Sequence, residues 1–296
     1  MTIALPFFSA RRALTLFPLL FCLTGRTFAR AQTPAALTSG EPITWIETAA
    51  TNELRIIDED GTFGVRFLAR KVDARGDVTR DTIESRDGAV ARLIQRDGKP
   101  ITAEEDAAER QRLEGMLNAP ADFLKKHKRN SSARDYTSRL VRQMPKAMIY
   151  SYAPGQPQPP GATSPQVVID FKPDPKYKAP DMICGLLTGI EGRLWIDART
   201  KTLTRGETRV SQPVDFGWGM LARIYSGGTV EFEQTPIGDG HWIYSRVEEH
   251  LRIREVMVKV LTENSTITTS NVQLLPGTLS WQEAIHKLLD TPLPGH

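Results

Sequence analysis

Turn dipeptides punctuate this chain at short intervals: Asp60-Gly61, Asp87-Gly88, Asp97-Gly98, Gly227-Gly228 and Asp239-Gly240. The runs between them are rich in β-branched and aromatic residues. One cluster comprises residues 64–72, 77–85 and 89–95, and a second comprises 192–197, 202–210, 229–234 and 241–248. A parallel crossover needs a dozen or more residues, so connections this short imply antiparallel neighbours. Val230, Phe232 and Gln234 alternate with Glu231 and Glu233, the pattern of a strand with one wet face.

A helical insert is expected between the two clusters, over about residues 102–145. Thr102 followed by Glu105 forms a capping box, and Leu113, Met116 and Leu117 recur at helical spacing. Pro120 predicts a break near 118–120. A second helical stretch is expected over 121–143, with Asn130 as a candidate break. The proline-rich stretch 154–161 is expected to be an exposed loop between two strands of one sheet. Trp281, Ile285, Leu288 and Leu289 make an apolar stripe on a last helix over 280–289. The expected architecture is α+β: a large curved antiparallel sheet, an open half-barrel, with helices packed on one side.

Residues 1–31 read as a secretory signal and 32–296 as a single half-barrel-like domain. Arg11 and Arg12 precede an apolar run from Ala13 to Leu23, and Ala29 and Ala31 are small residues at the peptidase positions. The run is shorter than the roughly 20 residues of a membrane-spanning helix. Cleavage after Ala31 leaves Gln32 first. The expected location is the periplasm or the extracellular space, by the general secretory or the twin-arginine route. The alternatives are a retained anchor or a lipoprotein, although Cys22 follows the bulky Phe21.

The net charge of +3 resides in the leader, which holds four arginines and no acid. The rest of the chain is close to neutral and has no global field for nucleic acid. Of the two cysteines only Cys184 lies beyond the leader, so no intramolecular disulfide is expected there. Cys184 sits among apolar neighbours, as a buried inert thiol or, alternatively, a nucleophile.

Catalytic patterns are sparse. The histidines His127, His241, His250, His286 and His296 show no metal-ligand spacing. Neither a nucleophile elbow nor a phosphate-binding glycine loop occurs. No catalytic residue, metal or cofactor is expected. The basic run beginning Lys125, Lys126, Lys128 and Arg129 reads either as a contact for an anionic membrane surface or as a solvated helix face balanced by the preceding acidic stretch E-E-D-A-A-E. Residues 213–225 crowd Phe216, Trp218, Met220, Leu221, Ile224 and Tyr225 around Gly217 and Gly219. They read as an apolar flap over a ligand cavity or as a core-packing turn.

Three segments carry a family resemblance: G-R-L-W-I-D-A-R-T-K-T-L-T-R-G-E at 192–207, G-G-T-V-E-F-E-Q at 227–234, and G-D-G-H-W-I at 238–243. Together they resemble the periplasmic outer-membrane-lipoprotein carrier-like superfamily, and also uncharacterised secreted bacterial proteins sharing such segments. The resemblance implies an unclosed barrel around a hydrophobic cavity, lidded by helices. The expected function is therefore non-enzymatic binding of a lipid or lipidated protein in the concave sheet face, lined by Trp195, Phe216, Trp218, Leu221, Phe232 and Trp242. The alternatives are an envelope interaction module without a ligand, and a hydrolase with a site assembled from scattered residues.

Overall fold

The computed structural model describes residues 37–59, 61–217, 221–255 and 259–293, with backbone alone for 126–131. The expected leader lies outside these residues. Helix α1 (Pro42–Glu59) precedes strands β1 (Val65–Asp73), β2 (Gly76–Ser85), β3 (Gly88–Arg96) and β4 (Lys99–Pro100). Helices α2 (Ala103–Asn118) and α3 (Pro120–Ala147) then lead to β5 (Met148–Tyr152) and β6 (Gln166–Pro173). After a 3-10 turn at Cys184–Thr188 come β7 (Ile190–Asp197), β8 (Leu203–Val210), β9 (Val214–Phe216) and β10 (Ala222–Ile224). The chain continues as β11 (Thr229–Gly238), β12 (His241–Glu255), β13 (Lys259–Leu274) and α4 (Trp281–Leu289).

The strands form one open antiparallel sheet in the order β4-β3-β2-β1-β13-β12-β11-β8-β7-β6-β5, with β10 on the end of β12 and β9 beside it. The α+β class and the unclosed antiparallel sheet are as the sequence predicts. Turn chemistry explains the hairpins. Asp97 and Gly98 both take positive φ, 51° and 75°, and Asp239 and Gly240 take 50° and 81°, the left-handed pair that matches strand twist. Bulges interrupt the register between β1 and β13, β2 and β3, β7 and β8, and β11 and β12. Each bulge bends its strand.

Capping boxes start two helices. Thr102 Oγ1 accepts from the Glu105 N–H at 3.2 Å, and Ser280 Oγ accepts from the Glu283 N–H at 3.3 Å. Ala119 separates α2 from α3, and Pro120 opens α3 where a missing N–H costs nothing. The candidate break at Asn130 does not occur, and α3 runs unbroken for 28 residues. Its length of about 42 Å is close to the roughly 43 Å taken by nine inter-strand steps from β3 to β5. One helix thus joins the two ends of the sheet. No described helix is long and apolar enough to cross a membrane.

Antiparallel partners share a face, so the register sorts the side chains. Val168, Trp195, Arg205, Glu233, Arg246, Thr268 and Arg70 form one continuous row. Ile169, Leu194, Gly206, Phe232, Val247 and Ile267 form the neighbouring row on the opposite face. Helix α1 covers the second face over β5–β8, where Ile46 and Ala49 pack with Val167, Ile169, Leu194 and Ile196. Helix α4 covers the first face over β2 and β3, where Trp281, Ile285 and Leu288 pack with Ile83 and Val90. The helices are therefore shared between the α1 face and the α4 face. The sequence reading assigns no element to residues 42–59, and it is this helix that fills half of the α1 face.

Candidate functional site

The expected lining residues do not converge. Trp195 is buried on the α4 face against Ala153 and Val168, and its Nε1 donates to Pro157 O at 2.9 Å. Arg193 and Arg205 lie 5.9 and 5.4 Å from its ring. Phe232 points to the α1 face, over Gly206, where an added Cβ would come within 2.2 Å of its ring. Its other neighbour is Tyr244, edge-on at 5.7 Å. Phe216 is buried with Val210, Val214, Ile224 and Leu251. Leu221 is 57% exposed and closes the β9–β10 turn against Gly217, whose φ is 57°. Trp242 is half-buried opposite Pro236, and Trp218 lies outside the described residues. Side-chain alternation puts Trp195 and Phe232 on opposite faces, so the described candidates do not line one hollow.

A different group converges on the α1 face beyond the end of α1. Phe67 and Ala69 on β1, Ile267 on β13 and Val247 on β12 are all buried there. Thr82 lies opposite Phe67, and Ser265 and Glu249 continue the row next to Ile267 and Val247. Glu249 is only 6% exposed, and its Oε1 has no hydrogen-bond partner among the described residues. The same holds for Thr82 Oγ1 and for Gln234 Oε1 on this face. Burial, reinforced by nearby Glu263, pushes the Glu249 carboxyl above its usual range. A neutral carboxyl can donate and accept, and a buried polar atom without a partner is unusual enough to need a reason.

Between this group and the packed half sits Glu53 of α1, 2% exposed. It accepts from Gln234 Nε2 at 2.8 Å and from the Tyr244 hydroxyl. Burial raises the Glu53 pKa despite both bonds. Sequence reasoning misses Glu53 and Glu249 alike, because a carboxylate in a strand or helix reads as solvated surface.

The exposed remainder of the α4 face is a lattice of ion pairs. Arg193 meets Asp170 at 2.5 Å, Arg205 meets Glu233 at 2.7 Å and Glu207 at 2.8 Å, and Arg209 meets Glu191. A groove of about 480 Å³ runs across it, bounded by Asp170, Glu191, Arg193, Glu207, Arg209 and Glu231. Opposite charges neutralise one another here, which leaves no field of one sign.

The remaining sequence candidates also have definite places. Cys184 is buried, 3.5 Å from Asp181 Oδ2, and burial pushes its thiol up, away from reactivity. His241 stacks on Phe63 at 3.9 Å, and His250 meets Glu248 at 3.0 Å and Asn264 at 3.2 Å. No cluster of three metal-ligating side chains occurs among the described residues. Lys125 is exposed on α3, while the side chains of Lys126, Lys128 and Arg129 lie outside the described residues. Within the acidic stretch, Glu105 pairs with Arg96, Asp106 with Arg92 and Arg110, and Glu109 with Arg112. Those three carboxylates are engaged by arginines of β3 and α2.

No family model matches the chain, and no curated protein is significantly similar to it.

Proposed function

We propose that this is an exported, non-enzymatic envelope protein that holds a lipid or a lipidated partner on the α1 face beyond the end of α1, along a row of buried apolar side chains. The apolar portion of the ligand lies along Ala69, Val247 and Ile267, and its polar portion meets Glu249 and Thr82. The observation that carries this reading is the unpartnered Glu249 Oε1, buried at the end of an apolar row. Burial favours the protonated form of this carboxyl, which can donate to as well as accept from a polar group such as an ester, amide or hydroxyl. The open antiparallel sheet is compatible with the carrier-like resemblance, and the ligand site differs from the one the sequence suggests. Export after cleavage near Ala31 belongs to the same proposal.

The test is native mass spectrometry of the chain purified gently from its host, followed by titration with a fluorescent fatty-acid probe. A co-purifying lipid mass and saturable probe uptake are expected. Glu249→Ala should weaken the probe about tenfold, the equivalent of one buried hydrogen bond. A chain that carries nothing and takes up no probe overturns the proposal. A second reading, an interaction module without ligand, is favoured by the way Trp195, Phe216 and Phe232 are satisfied by the protein's own packing. Anionic vesicles binding through Lys125 and its basic neighbours would fit either reading.

A further inference from the structure

An open sheet has two edges, and this chain treats them unequally. On β3 the edge groups are taken by side chains of α2. The Leu93 N–H donates to Glu109 Oε1 at 2.7 Å, and the Ala91 carbonyl accepts from Arg112 Nη2 at 2.6 Å. On β6, beyond the end of β5, two glutamines replace the missing strand. Gln156 exchanges bonds with the backbone of Val168 at 2.8 and 2.9 Å, and Gln158 does so with Gln166 at 2.8 and 3.0 Å. Edges capped in this way cannot recruit another strand.

Among the described residues strand β5 has no such cover. The Ala153 N–H donates to Val168 O and the Asp174 N–H to Ala147 O, both at 2.9 Å. This phase turns the N–H and C=O groups of Ile149 and Ser151 toward β6 and those of Tyr150 and Tyr152 outward. No described residue takes the outward N–H or C=O of Tyr150 or Tyr152. The strand M-I-Y-S-Y contains no charge, proline or glycine, the usual edge deterrents. Ile149 is 44% exposed on the α4 face, beside the similarly exposed Ser151.

We infer that β5 pairs with β5 of a second copy of this chain, antiparallel, about a two-fold axis at Tyr150. The occupant is a second copy because the edge is self-complementary. Tyr150 meets its own equivalent, Met148 meets Tyr152 of the second copy, and the ladder closes with about six hydrogen bonds. Ile149 then lies opposite Ser151 of the second copy on the exposed face. An uncharged edge bounded by α3 and Pro154 carries no pattern that would select a strand of different sequence or length.

Sedimentation velocity of the mature full chain, from about 5 to about 200 µM, should show dimer growing with concentration, because a single short strand pair buries little area. Positions 149 and 151 are exposed and face each other across the axis, which permits a charge test with a rescue. I149E/S151E sets like charges opposite one another and should raise the dissociation constant at least tenfold. I149E/S151K keeps the same first substitution, sets opposite charges across the axis and should restore association. Far-UV circular dichroism and Tm should match the parent in both. A parent that stays monomeric throughout overturns the inference. So does I149E/S151E associating like the parent, or failure of I149E/S151K to restore the dimer. None of these outcomes bears on lipid binding, so the two proposals fail separately.

Discussion

At the scale of single residues, the informative side chains are the charged ones that the fold buries. Glu53 has a folded pKa above its ordinary value of 4.5, because burial disfavours the carboxylate. The folded state therefore holds the proton more tightly. The associated stability is fully present below pH 4.5 and is lost as pH rises through the folded value. Glu53→Gln removes that loss. The new amide oxygen still accepts from Tyr244, and its N–H can donate to Gln234 Oε1, partnerless in the parent, once the Gln234 amide turns over. Urea unfolding at several pH values should show the variant gaining on the parent as pH rises above 4.5. A constant difference would mean that Glu53 does not titrate there. Arg92 behaves differently, because it is 2% exposed yet well held: Nη1 donates to Leu288 O at 2.6 Å and Thr291 O at 2.7 Å, and Nη2 to Asp106 at 2.7 Å. Arg92→Met fills similar space but leaves Asp106 with Arg110 alone and strands the carbonyls of Leu288 and Thr291 at the end of α4. The expected loss is about 3 to 5 kcal/mol by the same measurement.

At the scale of elements, what was legible in the sequence was whatever depended on neighbours along the chain. The Thr102 capping box, the interruption at Pro120 and the Asp97-Gly98 and Asp239-Gly240 turns all rest on local contacts, and each occurs where the residues place it. Helix α1 was not legible, since Thr44, Ile46, Thr48 and Thr51 suggest strand-like β-branching, and its helical phase shows only against the sheet it covers. The pocket assignment failed for a related reason. Trp195 and Phe232 are both aromatic strand residues, and their opposite orientations depend on the pairing of β7, β8 and β11, which no single strand reveals. The edge cover provided by α2 is likewise non-local. Replacing Glu109 and Arg112 together by alanine should uncover Leu93 N–H and Ala91 C=O on β3. The expected result is a loss of about 1 to 3 kcal/mol with faster aggregation near the Tm, followed by light scattering. Equal scattering from parent and variant would mean that the helix backbone, not these two side chains, protects the edge.

At the scale of the whole molecule, the sheet carries two main apolar clusters at opposite ends and on opposite faces. One gathers α1 with β5–β8, the other gathers α2, α4 and the start of α3 with β2 and β3. Helix α3 touches both: Phe123 stacks on Trp281 at 4.6 Å near its start, and Leu140 and Met144 pack beside α1 near its end. This arrangement predicts that damage at one anchor stays at one end. Phe123→Ala should cost about 3 to 5 kcal/mol as a buried aromatic truncation. Its effect on hydrogen exchange should concentrate in α2, α4 and the first turns of α3, because the stacked Trp281 loses its partner there. Amides of α1, β6 and β7 should keep nearly parental protection, since Ile46, Ile169 and Leu194 touch nothing that the substitution removes. If protection fell equally at both ends, the clusters would be one cooperative unit and α3 a rigid transmitter between them. A graded loss centred on Trp281 would instead make α3 a tether, leaving the α1 face free to respond to a ligand without unfolding the far end.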